Sequence, residues 1–332
     1  MSYVHGYSER EQARLVDQAE TLTELLHRGT RYPAGARVLE AGCGVGAQTV
    51  ALARNSPEAR FTCVDVSAPS LEAAQERVRA AGLENVAFQR ADVLALPFPE
   101  AHFDHVFVCF VLEHLPRPAD ALASLCSRLR PGGTLTVIEG DHGSAFFHPD
   151  DADARRAISC LVALQARAGG DACIGRRLFP LLAGAGLREV EVSPRIVYVD
   201  ASRPGWVEGF TRNTFTAMVE GVREQALAAG LVDAPGWERR LLTDPPGVLG
   251  RCACGRGVPR AAHRLGLGSS SDPLRIERGG LRGGSARGRG RRRDRLAGAG
   301  WGHRKGILAL VQGWFGGAPC EHPLANRAPA AR

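Results

Sequence analysis

Three glycines at alternate positions, Gly42, Gly44 and Gly46, follow a short apolar run in the segment VLEAGCGVGA (38–47). Glycine lets a loop turn tightly and lets its backbone approach a ligand closely. In a parallel α/β sheet such a loop joins the first strand to its helix, where nucleotide-like cofactors bind. The segment, with Cys43 between the first two glycines, therefore predicts a cofactor-binding loop.

Glu40, at the end of the predicted first strand, distinguishes between two kinds of cofactor. With Ala47 the loop also satisfies G-x-G-x-x-G/A, the dinucleotide fingerprint, in which a pyrophosphate lies at the glycine turn. A carboxylate about 4 Å from that pyrophosphate would repel it by about 1 to 4 kcal/mol. S-adenosylmethionine carries an ammonium and a sulfonium but no phosphate, so Glu40 favours it over NAD.

Two aspartates end the next two predicted strands. Asp65 lies 19 residues beyond Gly46, a spacing that fits a carboxylate accepting both ribose hydroxyls, although a helix cap is the alternative. NAD would use the same residue, so Asp65 does not discriminate between the cofactors. Asp92 ends the third strand, where we expect it to accept from the adenine amino group with Val93 beside the ring; a turn aspartate is the alternative.

The elements that must position these residues alternate along the chain. Apolar strand-like runs occupy 36–41, 60–66, 85–92, 103–115 and 134–141, and helical runs occupy 47–55, 69–82 and 118–130. This alternation predicts an α/β fold, a Rossmann-like doubly wound, mostly parallel sheet of six to seven strands with helices on both faces. An amphipathic helix over 8–29, with a capping box at Ser8 and Glu11, precedes the sheet.

The pattern is looser after the fifth strand. Helices are expected over 151–168 and 176–186, one or two strands over 188–200, and a long helix or a pair of helices over 209–230. From residue 247 the chain carries 17 basic and 4 acidic residues, a net charge of +13, against −6 for the rest. We predict that this Arg/Gly-rich tail is disordered apart from a substitute strand in GILALVQGWF (306–315), and we hypothesise that it is read out of frame.

Taken in order, five segments resemble the motifs of the class I S-adenosylmethionine-dependent methyltransferases, and the chain is similar to the small-molecule branch typified by ubiquinone and menaquinone methyltransferases. The resemblance covers residues 36–141 well and 1–35 and 142–246 more loosely. The five segments are VLEAGCGVG, VDVS, ADVLALPF, FDHVFVCFVLEHL and LRPGGTLTVIE.

This resemblance implies methyl transfer to an oxygen, nitrogen or carbon of a small molecule. It implies an N-terminal helical lid (1–35), a methyltransferase domain (36–246) whose part 142–246 includes acceptor-site helices, and the tail (247–332). The implied cofactor contacts come from Glu40, Gly42, Cys43, Gly44, Gly46, Asp65, Val66, Asp92, Val93, Cys109 and Phe110.

Residues for the reaction are expected beyond the fifth strand, in IEGDHGSAFFHPDD. His142 is the preferred general base because an unperturbed imidazole titrates near neutrality, and Asp141 is its neighbour. Loop structure is the alternative role for both.

Four other residues are expected near the acceptor. Tyr3 and Tyr7 are expected to close over the cofactor as a lid, with a frayed terminus as the alternative. His114 and Phe146 are expected to face the acceptor. His114, like Glu113, has the alternative of shaping a turn, and Phe146 has the alternative of packing in the core.

Three further function classes are weighed against composition. The basic tail suits nucleic acid, but the acidic remainder and the lack of aromatics over 278–295 disfavour that partner. An NAD-dependent oxidoreductase and an inactive binding protein are the other two classes. Nine cysteines without a CxxC pair predict reduced thiols and no metal site. Because neither a signal peptide nor a membrane span is expected, we predict a cytoplasmic protein. We expect it to be a monomer or a homodimer.

Overall fold

The fold is taken from a computed structural model, which describes residues 8–148, 150–242 and 305–307. The lid residues Tyr3 and Tyr7 and most of the predicted tail lie outside the described residues. The hypotheses on tail disorder and reading frame therefore stay predictions.

Seven strands form one sheet in the order β3-β2-β1-β4-β5-β7-β6, and every registered pair is parallel. The predicted doubly wound sheet is confirmed, and its strand order reverses between β1 and β4, whose carboxyl ends border the glycine loop. The strands are β1 (Arg37–Ala41), β2 (Arg60–Asp65), β3 (Val86–Arg90), β4 (Phe103–Cys109), β5 (Leu129–Ile138), β6 (Arg188–Glu191) and β7 (Lys305–Ile307).

The described residues also form ten α-helices, most of them close to the predicted ranges. They are α1 (Glu9–His27), α2 (Thr49–Asn55), α3 (Ala68–Ala80), α4 (Pro118–Arg128), α5 (Ala152–Arg167), α6 (Leu178–Gly184), α7 (Pro204–Trp206), α8 (Ala217–Gly221), α9 (Arg223–Ala228) and α10 (Ala234–Leu242). Local chemistry explains one start: the Ser8 hydroxyl accepts from the Glu11 N–H at 3.2 Å.

The alternating side chains of the strands bury both faces of the sheet. Leu39 and Val106 pack with helix α4, whereas Val38 and Phe107 pack with α1 and α2, and all four are fully buried. This two-sided burial explains why the central strands read as continuous apolar runs instead of alternating ones. A third cluster, around Trp237, holds α5 against α8 to α10.

Strand β5 begins earlier than predicted, because the expected helix stop at Pro131 lies inside the strand. Phe103 and His105 of β4 are two residues apart, but they pair with Leu129 and Thr134, which are five apart. The excess residues form a bulge, where a proline without an N–H group costs no ladder hydrogen bond.

Strand β7 overlaps the start of the substitute strand predicted over 306–315. It pairs in parallel with β5 and β6. A parallel neighbour requires a long connection, and residues 243–304 separate α10 from β7. On its other side, the strand predicted over 188–200 ends at Glu191, shortly before Pro194.

The helix predicted over 209–230 is replaced by a π-helix over Val207–Thr216 followed by α8 and α9. Regular π-helix is rare and is found mostly at functional sites. It packs closely on α1: a Cβ added at Gly209 would stand 2.1 Å from Thr21 Oγ1 and 3.2 Å from Thr21 Cβ. The helical N-terminal segment is thus fixed to the C-terminal half of the domain.

Replacing Gly209 by alanine should lower the free energy of unfolding by about 1 to 3 kcal/mol, because the new methyl group overlaps Thr21. In the matched control Gly221→Ala, the added Cβ meets nothing within 4 Å. Alanine's better helix propensity should then raise that free energy by up to about 1 kcal/mol. Urea unfolding followed by circular dichroism measures both variants, and equal changes would contradict the close α1 contact.

Candidate cofactor and acceptor site

The glycine loop follows β1 with three residues in the left-handed region. Gly42, Gly44 and Gly46 have φ angles of +72°, +52° and +74°. A Cβ at Gly42 would lie 2.4 Å from Val111 Cγ2, and one at Gly46 would lie 3.0 Å from Ala74 Cα. Two of the three glycines are therefore also required by close approach, one to the loop after β4 and one to helix α3.

Glu40 lies beneath this loop and is 2% exposed. Its Oε2 accepts from Thr49 Oγ1 at 2.7 Å and from Cys63 Sγ at 3.2 Å. Burial raises the pKa of Glu40 from 4.5 to about 7, although the Thr49 and Cys63 hydrogen bonds oppose this. Its negative charge is only partial at neutral pH, so charge repulsion excludes a pyrophosphate less strongly than the sequence argument assumed.

Asp65, at the end of β2, connects two loops of the site. Its Oδ2 accepts from the Gly44 N–H at 2.9 Å, and its Oδ1 accepts from the Ser67 N–H at 2.9 Å. The next residue, Val66, is 48% exposed, an unusual position for a valine at a strand end. A half-buried carboxylate beside an exposed apolar side chain provides an acceptor for ribose hydroxyls and a flat contact for a ring.

Asp92 and Val93 lie in the adjacent loop, after β3. The Asp92 side chain is exposed and its Oδ1 accepts from the Leu94 N–H at 2.9 Å, as in an Asx turn. Val93 is 7% exposed and packs in the core. The structure thus brings Asp92 to the same edge of the sheet as Asp65. The buried Val93 side chain anchors the loop in the core.

The backbone after β4 is held in an uncommon conformation. Phe110 has a φ of +55°, and its N–H donates to the Ile138 carbonyl at 2.8 Å. A non-glycine residue in this region costs about 1 to 3 kcal/mol and is found preferentially at binding sites. Cys109, which precedes it, is half-buried at the end of β4.

Glu139, fully buried after β5, holds the next turn. Its Oε1 accepts from the N–H groups of Val111 at 3.0 Å and Leu112 at 2.7 Å, and its Oε2 accepts from Glu113 at 3.4 Å. These three donors begin the 3₁₀ turn Leu112–His114. Burial and the neighbouring Glu113 raise the pKa of Glu139, against the effect of the three N–H groups.

Glu113 and His142 meet where β4 and β5 end. His142 Nε2 lies 3.3 Å from Glu113 Oε2, and both side chains are more than nine-tenths buried. Gln165 Nε2 donates to the Glu113 carbonyl at 2.9 Å and to Oε2 at 3.3 Å. Burial raises the pKa of Glu113, but nearby His114 and the hydrogen bonds from His142 and Gln165 lower it by more.

Asp141 differs from His142 in its environment. Its two oxygens accept from Arg176 at 2.6 and 2.7 Å, and Oδ2 also accepts from Ser144 Oγ at 2.9 Å. A bidentate guanidinium pair occupies both carboxylate oxygens and fixes the side chain in place. The geometry therefore favours His142 over Asp141 as a proton acceptor.

Aromatic side chains extend from this pair. The rings of His142 and Phe215 are 6.4 Å apart, and Phe215 is 6.2 Å from Phe210, both on the π-helix. Phe146 is 56% exposed nearby in sequence. His114 is partly exposed, with Nε2 3.7 Å from Glu113 Oε1, and burial lowers its pKa.

Sequence reasoning did not identify Gln165 and Arg176 and left Glu113 as a turn residue. Gln165 lies 52 residues from Glu113 and Arg176 lies 35 from Asp141, so no local spacing could have paired them. The one available signal is composition, because a glutamine inside the apolar face of α5 requires a buried polar partner.

Six of the nine cysteines lie within the described residues. Cys43, Cys63, Cys109, Cys126, Cys160 and Cys173 are free thiols there. No cluster of three or more histidine, cysteine or acidic side chains among these residues could hold a metal ion. In the same part of the chain, no helix is both long enough and apolar enough to cross a bilayer.

The pKa of Glu40 predicts how stability depends on pH. Because the folded state binds this proton more tightly than the unfolded chain, the contribution is fully present below pH 4.5 and is lost as pH rises to about 7. Glu40→Gln should remove that loss. Its free energy of unfolding relative to wild type should increase by about 2 to 3 kcal/mol from pH 5 to pH 8.

Urea titrations at pH 5, 6, 7 and 8 test this prediction. The exposed Glu84→Gln, at the opposite end of the sheet, is the control and should follow wild type at every pH. A constant difference between Glu40→Gln and wild type would show that Glu40 is ionised throughout.

The comparisons agree with this geometry. Residues 38–133 match the family model of a methyltransferase domain, a range that runs from β1 to the bulge of β5. Among curated relatives, methyltransferase GfsG of Streptomyces halstedii is 36% identical over 38% of this chain and 45% of its own length. The 27-O-demethylrifamycin SV methyltransferase of Amycolatopsis mediterranei is 29% identical over 67% and 76%.

The demethylmenaquinone methyltransferase of Thermus thermophilus is 38% identical over 31% of this chain and 46% of its own length. The chain thus spans less than half the length of two of these three relatives. Residues 38–133 contain the glycine loop, Asp65 and the turn after β4. Over this range the chain is similar to a methyltransferase domain, in agreement with its resemblance to S-adenosylmethionine-dependent methyltransferases.

Proposed function

We propose that the protein transfers a methyl group from S-adenosylmethionine to an oxygen, nitrogen or carbon atom of a small-molecule acceptor. One observation carries this proposal. The left-handed glycine loop lies between buried Glu40 and half-buried Asp65, and Asp65 Oδ2 is hydrogen-bonded to the loop itself. This arrangement offers carboxylates to an ammonium and to a ribose.

The residues present fit this cofactor. Asp65 would accept the ribose hydroxyls, Val66 would contact the adenine and Asp92 would accept from its amino group. Glu40 would face the ammonium through the loop, and that positive charge favours the ionised carboxylate. The backbone of Cys109 and Phe110, fixed by the left-handed Phe110, would border the opposite side.

When bound, S-adenosylmethionine supplies a methyl group already activated by its sulfonium. The chain's contribution is then to hold an acceptor atom in line with that methyl group, and positioning of this kind accounts for much of such a rate enhancement. A base is needed only where the acceptor must lose a proton. His142, which follows β5, is our candidate for that role.

The acceptor is proposed to be a small molecule with a largely apolar body. Phe215 gives the His142 side of the site an aromatic character, and Phe146, four residues after His142, is an exposed aromatic side chain. Two relatives, a 27-O-demethylrifamycin SV methyltransferase and a demethylmenaquinone methyltransferase, favour acceptors of this kind. The oxidoreductase and nucleic-acid alternatives gain no support from the comparisons, and the cytoplasmic location and oligomeric state stay predictions.

Calorimetric titration with S-adenosylhomocysteine, and with NAD in parallel, tests the proposal. We expect one site for the first ligand and no binding of the second. Asp65→Ala should weaken binding by about 10- to 100-fold, because a charge-assisted hydrogen bond contributes about 1.5 to 3 kcal/mol. The Asp65→Asn variant keeps one acceptor oxygen, so its affinity for S-adenosylhomocysteine should fall by a smaller factor.

Glu84→Ala is the control, since this exposed side chain lies at the amino end of β3. Binding of NAD alone would overturn the proposal. Binding of S-adenosylhomocysteine that Asp65→Ala leaves unchanged would keep the cofactor and reject the assigned ribose contact.

A further inference from the structure

We propose that Glu113 is a positioning residue that fixes His142 as a neutral imidazole whose unpaired Nδ1 receives a proton from the acceptor. This inference rests on the proposed function and deepens it. It selects acceptors whose methylated group loses a proton, of which a hydroxyl is the simplest. Each step depends on contacts among residues after β4, after β5 and in α5.

The hydrogen bond between the two side chains sets the tautomer. Glu113 Oε2 lies 3.3 Å from His142 Nε2, and an ionised carboxylate can only accept, so Nε2 carries the hydrogen. In a neutral ring the other nitrogen is then an acceptor. Nδ1 of His142 is consequently the basic atom of the pair.

Glu113 is held rigidly enough to impose this choice. Its carbonyl accepts from Gln165 Nε2 at 2.9 Å and from the Asp171 N–H at 2.8 Å. Its N–H donates to Glu139, and Gln165 also donates to its carboxylate at 3.3 Å. The close approach excludes substitution at Gly170, where a Cβ would lie 2.4 Å from the Glu113 carbonyl oxygen.

His142 Nδ1 is the ring nitrogen that does not contact Glu113. It is buried and has no hydrogen-bond partner among the described residues, and the same is true of Gln165 Oε1. A buried unpaired acceptor costs about 1 to 3 kcal/mol, so two in one cluster require an explanation. A hydroxyl hydrogen from a bound acceptor would pair one of them.

The position of the pair agrees with that role. Both residues follow the carboxyl ends of adjacent strands, the edge where ligands bind in this kind of sheet. Phe215 offers an apolar contact 6.4 Å from the imidazole, between ring centres. Space at the ring depends on Gly140, whose added Cβ would lie 3.3 Å from His142 Cε1.

The side chains near the His142 imidazole come from several elements. Glu113, on the turn after β4, lies 3.3 Å from His142 Nε2, and His114 lies beside Glu113. Asp141, the residue before His142, is paired with Arg176. Helix α5 contributes the neutral Gln165, which donates to Glu113. On helix α1, Glu11 and Arg14 are paired with each other at 2.6 Å and act on His114.

The resulting step balances in atoms and charge. The acceptor oxygen uses an electron pair to form the new C–O bond, and the electrons of the broken C–S bond stay on sulfur, which becomes a neutral thioether. The hydroxyl proton moves to His142 Nδ1. The imidazolium so formed is neutralised by the Glu113 carboxylate and later gives its proton to water. A neutral amine can attack before losing a proton and would gain little from this pair.

Nitrogen NMR of protein labelled with ¹⁵N-histidine tests the assignment in the full chain saturated with S-adenosylhomocysteine. At about pH 8, where a free imidazole is neutral, we expect a single His142 tautomer with hydrogen on Nε2 and a bare Nδ1. Wild-type protein alone can therefore overturn the proposal: a dominant Nδ1–H tautomer would do so.

Glu113→Gln supplies the second measurement. An amide can turn either its oxygen or its NH₂ group toward Nε2, so it should raise the population of the Nδ1–H tautomer at least about tenfold. Asp104→Asn is the matched change, because Asp104 acts on His105 at the other end of the sheet. It should leave His142 unchanged, and an unaltered tautomer ratio in Glu113→Gln would reject Glu113 as the positioning residue.

Calorimetry on the same samples separates the two proposals. If wild type and Glu113→Gln bind S-adenosylhomocysteine equally while the tautomers differ, both proposals are supported. If wild-type protein binds no S-adenosylhomocysteine, the proposed function fails, whereas the tautomer measured on the ligand-free protein still decides whether Glu113 orients His142.

Discussion

The carboxylate of Glu139 is the contact on which the rest of the site depends. It binds three consecutive backbone N–H groups, from Val111 to Glu113, and so fixes the turn after β4. One end of that turn brings Val111 against Gly42, where any side chain on the glycine would collide. The other end delivers Glu113 to His142. A single buried acid thus connects the cofactor loop to the candidate acceptor side.

The site contains three buried carboxyl groups. Glu40, Glu113 and Glu139 are all at most 4% exposed, and burial alone would neutralise each of them. Their different partners separate their behaviour. Glu113 has histidines and an amide and keeps its charge, whereas Glu40 and Glu139 have raised pKa values. The site therefore holds one firm negative charge beside the imidazole and a titratable one beneath the glycine loop.

The sheet and the cofactor loop could be predicted because their signals are local. Buried parallel strands appear as apolar runs, and the glycines that must adopt positive φ stand at fixed positions after the first run. The bulge in β5 and the direction of β7 could not be predicted, because pairing register and the path of a long connection are not written in any short segment.

The same limit applies to the site. Asp65 ends a predictable strand, so its place followed from topology. The different environments of Asp141 and His142 could not be predicted, because each depends on a residue distant in the sequence. Arg176 pairs with Asp141, and Glu113 contacts His142. Likewise, the protonation of Glu40 depends on its burial and not on its residue type.

The contrast between those neighbours also explains why the acceptor side is built as it is. A base must be desolvated enough to act on a bound hydroxyl, yet it must carry positive charge once it has accepted the proton. Burying His142 among aromatic rings alone would meet the first requirement and oppose the second. In the proposed role, placing Glu113 on the far nitrogen would meet both, because the counter-charge is present before the proton arrives and Nδ1 has no hydrogen-bond partner among the described residues. The π-helix then supplies the apolar wall, through Phe215, without adding a second polar group that would compete for that nitrogen.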